Sequence, residues 1–250
     1  MIDDADDVRD DDDACNHDYE VQFTIAPKPL RSCFREPSWD VVTEISGVII
    51  GDDDTGTREV GTLEALYLRN DADNDLQLGC DAHSAEATDV ATLFYTTGNR
   101  WQPNVRERIK PKNRDLLYLA TIEIDDGHRG RDLGLRATWE LLRCFGGGSL
   151  VICRPFPMQH TLTRPVTEIE CADAAARIAE YEKRGFRTSL YEGMTTLVEY
   201  WERLGFKHYM LDDVRWSGYL YLDLGRSAMR SPYRRNDDGA TGVCDEGTGT

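Results

Sequence analysis

The chain has no long apolar segment and few lysines. No window of its 250 residues approaches the roughly 18 uninterrupted apolar residues of a membrane-spanning helix. Lysine accounts for five of the 29 basic residues, and the formal net charge is −17. A field of this sign repels a phosphate backbone. We therefore expect neither a membrane partner nor a nucleic-acid partner.

Metal-binding and disulfide patterns are also missing. The seven cysteines form no C-x-x-C pair and their number is odd, which argues against a disulfide framework or a structural zinc site. The five histidines are scattered, with none at helical or strand spacing to another. The sequence therefore predicts no metal. Cys144 and Cys153 lie in apolar runs and are expected to be small core residues.

Acidic residues are concentrated at the start of the chain, where eight of the first thirteen residues are aspartate. Such a block cannot offset its ordering entropy, so residues 1–18 are predicted to be a disordered tail that solubilises the protein or, alternatively, binds a partner. Residues 225–250 are rich in Gly, Ser, Asp and Arg and are also predicted to be disordered. One folded domain is expected over 19–224. The acidic N-terminus differs from a secretory or mitochondrial leader, so the expected location is cytoplasmic.

Hydrophobic patterning predicts an alternation of strands and helices. Alternating and β-branched runs predict strands, and apolar residues at helical spacing predict helices. The expected strands cover 19–25, 41–50, 60–68, 116–124, 150–153, 207–211 and 219–224. The expected helices cover 82–95, 132–145, 171–183 and 196–204, and 98–112 is expected to be a loop. The run from 116 to 153 reads as strand, helix, strand and predicts a parallel β-α-β unit.

The junction between the strand at 116–124 and its helix gathers basic side chains in an otherwise acidic chain. It reads IDDGHRGRDLG over 124–134. Backbone N–H groups at a helix N-terminus, together with the helix dipole, attract an anion. The junction matches neither the P-loop nor the dinucleotide fingerprint. We interpret it as a phosphate cradle, with an ordinary turn carrying solvated arginines as the alternative.

These residues resemble the GNAT acyltransferase superfamily, whose central motif is a strand, Arg/Gln-x-x-Gly-x-Gly/Ala, and a helix. Arg129 and Gly134 match the motif, whereas Asp132 stands where its first glycine usually lies. We expect Asp132 to cap the helix, which would keep its charge from opposing a pyrophosphate. The segment YWERLGF over 200–206 is similar to a helix end that the superfamily often carries before its last strands.

The resemblance implies an α/β (α+β) fold with a mixed, mostly antiparallel central sheet flanked by helices. A β-bulge and a splayed pair of strands, 116–124 and 149–154, would admit acetyl-CoA as the acyl donor. The implied cofactor-binding residues are Ile122, Glu123, Ile124, Arg129, Gly130, Arg131, Asp132, Leu133 and Gly134. Pantetheine would bond the edge at 122–124 and the pyrophosphate would lie on 129–134. The N–H of Ile124 would polarise the thioester carbonyl.

The implied reaction is the direct attack of an amine on the thioester, which is helped by a general base and a general acid. Glu123 is the first candidate base and Glu64 the second. Tyr200 is the candidate acid, although Trp201 stands at the position where the family commonly has tyrosine, and EYEKRGF over 180–186 is an alternative equivalent segment. The acceptor would be a small-molecule or peptide amine. A catalytically weak or inactive module of the same fold that binds CoA or a protein partner is the alternative.

Overall fold

The structure is a computed structural model that describes residues 19–25, 41–53, 56–70, 75–157, 176, 179–180, 182–183, 189–209 and 218–226. The predicted tail at 1–18 lies outside these residues, as does the predicted C-terminal tail beyond Arg226. Most of the predicted helix at 171–183 also lies outside them.

Within these ranges, seven strands form one sheet with helices on both faces. The strands are β1 (Glu20–Ile25), β2 (Val42–Asp53), β3 (Gly56–Leu68), β4 (Leu116–Ile124), β5 (Leu150–Cys153), β6 (Lys207–His208) and β7 (Leu220–Asp223). The helices are α1 (Leu76–His83), α2 (Ala85–Phe94), α3 (Pro103–Arg108), α4 (Leu133–Phe145) and α5 (Leu190–Glu202). The strand order is β1-β2-β3-β4-β5-β7-β6. Only the β4–β5 pair is parallel among these neighbours, so the predicted mixed, mostly antiparallel sheet and the predicted parallel β-α-β unit are confirmed.

Three helix predictions differ from the structure. The helix expected over 82–95 is interrupted at Ser84, whose extended backbone ends α1 and whose hydroxyl caps α2 by accepting from the N–H of Ala87 at 3.1 Å. The loop expected over 98–112 contains α3, which begins with Pro103, a residue that fits the first helical position because no N–H is needed there. Helix α5 begins at Leu190, well before the predicted start, because Ser189 supplies its N-cap.

Each face of the sheet carries its own core. Helices α1, α2 and α3 pack on one face with buried residues such as Leu68, Leu116 and Phe94, which we call the α1–α3 core. Helices α4 and α5 pack on the other face with residues such as Leu117 and Leu141, which we call the α4–α5 core. Cys153 is buried as predicted, whereas Cys144 is exposed at the end of α4, so the core prediction for Cys144 is wrong.

A β-bulge in β4 reverses the alternation of its side chains. Thr121 pairs with Glu64 and Leu119 pairs with Ala65, which leaves Ala120 as an extra residue in β4. Before the bulge, Leu116 and Tyr118 belong to the α1–α3 core. After it, Ile122 and Ile124 pack against the α4–α5 core, although a regular strand would place all four even-numbered residues on one face. The bulge therefore changes which face of the sheet receives the apolar residues of β4.

Candidate functional site

Strands β4 and β5 separate part-way along the sheet. They pair from Leu116 with Leu150 to Leu119 with Cys153, and β5 ends there. The residues that follow β5 include Pro155 and Pro157, which have no N–H to donate to a strand ladder. Among the described strands, residues 121–124 of β4 pair with β3 alone. Within the described residues, one edge of β4 is therefore open beyond the bulge.

A cavity of about 410 Å³ lies along this open edge. Its size is in the range of small-molecule sites, which begins near roughly 300 Å³. Its wall is formed by the second half of β4, the loop before α4, the exit of β5 and one side of α5. The lining residues include Ala120, Ile122, Glu123, Ile124, Arg129, Gly130, Asp132, Gly134, Cys153, Phe156, Leu197, Tyr200 and Trp201. This position between two diverging parallel strands suits an elongated ligand.

The main chain of β4 presents hydrogen-bonding groups to the cavity. The N–H of Asp125 donates to the carbonyl of Val60 in β3 at 2.9 Å. Because main-chain groups of successive residues point to opposite sides of a strand, the N–H groups of Ile122 and Ile124 point away from β3, toward the open edge. The carbonyl of Ile124 accepts from the Nε of Arg129 at 2.9 Å. The N–H of Ile124 therefore has the direction that the predicted thioester contact requires.

The loop before α4 is held by its own basic side chains. Besides its bond to Ile124, Arg129 forms a 2.5 Å ion pair with Asp126. Arg131 is exposed and donates to the hydroxyl of Tyr19 at 3.0 Å. His128 is buried, and its Nε2 lies 3.3 Å from the Nη2 of Arg58. Since an arginine only donates, Arg58 is the donor in this contact. The loop thus offers an anion mainly backbone N–H groups, with the arginines shaping it.

Asp132 does not cap α4 as expected. Its backbone is left-handed, with φ 59° and ψ 18°, and its side chain makes no capping hydrogen bond. The carboxylate instead forms a bidentate pair with Arg203, in which Nη1 donates to Oδ1 at 2.7 Å and Nη2 donates to Oδ2. This pairing raises the pKa of the Arg203 guanidinium. The helix-cap expectation is therefore wrong, and an ion pair accounts for the charge of Asp132.

Tyr200 supplies the cap that Asp132 does not. Its hydroxyl accepts from the N–H of Leu135 in the first turn of α4 at 2.7 Å. Burial raises the pKa of this hydroxyl, so it stays protonated and can donate its own proton. A Cβ on Gly134 would lie 2.7 Å from the Tyr200 hydroxyl and 3.4 Å from Cγ2 of Ile122. Glycine is required at 134 because a strand and two helices meet there.

The candidate bases occupy neighbouring positions on one face of the sheet. Glu123 pairs with Thr62, and Glu64 pairs with Thr121, so the two glutamates are diagonal neighbours across β3 and β4. Glu123 is half-buried and lines the cavity. Glu64 is exposed, and it is not among the cavity-lining residues. The geometry thus brings Glu123 and Tyr200 to one cavity and leaves Glu64 one strand away.

Sequence reasoning missed the far wall of the cavity. Gly193 and Leu197 of α5 line it together with Phe156 and Pro157 after β5. A Cβ on Gly193 would lie 2.7 Å from Cγ of Pro157, so α5 approaches this segment closely. A glycine inside an amphipathic helix is a signal of such an approach. Trp201 is buried in the cavity wall, where its ring contacts those of Tyr200 and Phe206.

No protein-family model, no curated protein and no solved structure matches the chain. Within the described ranges, no three or more His, Cys, Asp or Glu side chains are grouped so that they could hold a metal ion. The helices of the same ranges include none with the length and apolar character needed to cross a membrane. The geometry of the cavity is therefore the basis for a functional assignment.

Proposed function

We propose that the protein is an acetyl-CoA-dependent N-acyltransferase that transfers the acetyl group to an amine by direct attack on the thioester. The observation that carries the proposal is the cavity at the bulge of β4, where parallel strands diverge and no described strand pairs with the edge at 122–124. The N-terminus of α4 adjoins the same cavity. An extended ligand with amides at one end and phosphates at the other fits this arrangement.

Each part of the cavity matches one part of an acyl-CoA. The amides of pantetheine can pair with the open edge of β4 as an additional strand would. The pyrophosphate can accept from the backbone N–H groups of 129–134, where the dipole of α4 is positive. The apolar wall formed by Leu197 and Phe156 suits the uncharged pantetheine arm. The proposed positions of pantetheine and pyrophosphate follow the order of these two groups in the molecule.

The proposed chemistry needs three contributions from the chain. The N–H of Ile124 stabilises the oxygen that becomes negative when the amine nitrogen bonds to the thioester carbon. Glu123 accepts the amine proton, directly or through a water molecule. The carbon–sulfur bond then breaks, and the thiolate takes a proton. Tyr200 is the candidate donor because this residue lines the cavity and burial raises the pKa of its hydroxyl, which keeps it protonated.

The charge of the sheet supports a cationic acceptor. The strand register places several carboxylates on the same face of the sheet as Glu123. They lie on the half of this face that α1–α3 do not cover within the described residues. They are Glu20, Glu59, Glu64 and Glu123. An amine that arrives protonated is attracted to such a face before it loses its proton at the base. A small or peptide amine is therefore the acceptor class we favour.

A binding module without catalysis is the second candidate. The observation that favours it is the buried hydroxyl of Tyr200, because burial raises its pKa and makes it a weaker proton donor to a thiolate. Trp201, at the position where the resembling family commonly has tyrosine, is packed in the wall and has no acidic proton suited to a thiolate. Under this alternative the cavity binds CoA and no amine is acetylated.

Isothermal titration with acetyl-CoA, followed by detection of free CoA thiol with a panel of amines, separates the candidates. Binding with amine-dependent thiol release supports the acyltransferase, and binding without release supports the module. Absence of binding overturns both.

A glycine substitution locates the binding site. We expect Gly134→Val to weaken acetyl-CoA binding by roughly 100-fold or more, because its side chain displaces the Tyr200 hydroxyl and narrows the cavity. The control is Gly98→Ala, where a Cβ meets nothing within 4 Å. Circular dichroism checks that both variants fold. Equal affinity in the Gly134 variant and the wild type would overturn the placement of the ligand.

A further inference from the structure

Asp132 is an unusual residue for the wall of an anion site. It lines the cavity at the start of α4, where the proposed pyrophosphate would lie. Its left-handed backbone is a conformation that glycine adopts more readily than aspartate. A carboxylate that faced the cavity would repel a phosphate at short range. Both its charge and its backbone therefore need an explanation.

Arg203 explains how the negative charge of Asp132 is accommodated. It follows α5, close in the chain to Tyr200, and reaches across to Asp132 with two parallel hydrogen bonds. Bidentate geometry fixes the direction of a carboxylate as well as neutralising its charge. Arg203 is not among the cavity-lining residues, so its effect on a ligand passes through Asp132.

We propose that Arg203 is a positioning residue for anion binding. It holds the Asp132 carboxylate away from the cavity and offsets its negative charge, so that the loop at 129–134 accepts phosphate. The inference rests on the proposed function, because the anion is the pyrophosphate of CoA. Asp132 and Arg203 are separated by 71 positions in the chain, one at the start of α4 and the other at the end of α5. Under this proposal, anion binding at α4 depends on a positive charge supplied from the end of α5.

A purely structural ion pair makes a different prediction. Both side chains are partly exposed, with fractions of 48% for Arg203 and 35% for Asp132, so their pairing contributes little to stability. If the pair serves only to anchor α5, removing either partner has the same effect on CoA binding. If Arg203 acts on the charge of Asp132, removing Arg203 is harmful and removing the carboxylate is not.

The test is a double-mutant cycle with CoA as the titrant and its dissociation constant as the readout. We expect Arg203→Ala to weaken CoA binding about tenfold, because an uncompensated carboxylate then faces the pyrophosphate. Asp132→Asn is expected to bind CoA more tightly than Arg203→Ala, since the amide carries no charge. Adding Asp132→Asn to the Arg203→Ala variant is expected to restore binding to within about twofold.

The salt dependence of CoA binding and the melting temperatures distinguish an effect of charge from an effect of anchoring α5. The deficit of Arg203→Ala is expected to shrink between about 0.05 M and 0.5 M salt, because screening weakens the repulsion. The single Arg203 variant and the double variant both lack the ion pair, so their melting temperatures are expected to agree. Arg203→Lys, which keeps the charge, is expected to bind CoA more tightly than Arg203→Ala.

The possible outcomes are distinct. A wild-type protein that binds no CoA overturns the proposed function and this inference together. Wild-type affinity in Arg203→Ala overturns the inference alone. So does a double variant that binds as weakly as Arg203→Ala, because the loss then comes from the docking of α5.

Discussion

The two halves of β4 differ in their side chains and in their surroundings. Residues 116–119, the paired half, have β3 on one side and β5 on the other, and all four are buried. In the open half, residues 120–124, the residues from Thr121 to Ile124 pair with β3 alone among the described strands, and all five are half-buried. The open half also carries polar side chains, Thr121 and Glu123, whereas the paired half reads LLYL. The difference in burial therefore accompanies a change in composition as well as in the neighbouring strands.

This contrast shows how one strand serves both the core and the site. The paired half connects β3 to β5 within the sheet. Its side chains alternate between the α1–α3 core and the α4–α5 core. The bulge at Ala120 then reverses the alternation, so that Ile122 and Ile124 support the α4 side while Glu123 lies on the carboxylate-rich face. The isoleucines that pack toward α4 and the carboxylate on the opposite face of the sheet are thus neighbours in the chain.

The largest effect is expected in the paired half. Leu117→Ala removes a fully buried side chain from the α4–α5 core and is expected to lower the free energy of unfolding by about 2–5 kcal/mol. Urea denaturation measures this loss. Ile122→Ala in the open half is the comparison, and a smaller loss is expected there because Ile122 is half-buried. Equal losses at the two positions would contradict the distinction between the halves.

A proline placed in the open half is expected to affect function more than folding. Ile124→Pro removes the N–H that points to the cavity, and we expect amine-dependent thiol release to fall by roughly 100-fold. Asp125→Pro is the matched control. The φ of Asp125 is −57°, which suits proline, and its N–H bonds to β3. The control is therefore expected to lower the melting temperature, and a reversed pattern would overturn the assigned main-chain directions.

The smallest effect is expected where α5 meets the open half. Tyr200→Phe removes the hydroxyl that caps α4 and is expected to cost about 1 kcal/mol of stability. Chemical denaturation measures this cost. Tyr191→Phe, on an exposed tyrosine of the same helix, is expected to change stability by less than about 0.5 kcal/mol. If the two variants are equally stable, the hydroxyl does not support α4.

The sequence predicted the elements whose pattern is local. The bounds of β4 and β5 follow from continuous apolar runs, and α4 follows from its wide apolar face, within one residue of the structure. Helix α3 was missed because it is six residues long and mostly polar. The interruption at Ser84 was missed because a serine is compatible with both a helix interior and a cap.

Only part of the candidate site could be predicted from the sequence, and the reason is physical. The loop at 129–134 and the edge at 122–124 are contiguous in the chain, so a sequence motif can indicate them. The partners of Asp132 and Leu135 come from α5 and the residue after it, and the far wall follows β5. These contacts depend on tertiary docking, and no spacing rule along the chain predicts them.

The four parallel residue pairs between β4 and β5 divide the sheet into two antiparallel parts, β1-β2-β3-β4 and β5-β7-β6. The first part is built from strands in chain order, whereas the second places β5 beside β7, with β6 at the outer edge. The joint between the two parts is short, and its residues in both strands are buried. The cavity opens directly beyond this joint, so a ligand bound there would contact both parts of the sheet and hold them together while it is bound. Hydrogen exchange at 150–153 would then slow on binding, whereas exchange at the β2–β3 hairpin would change little.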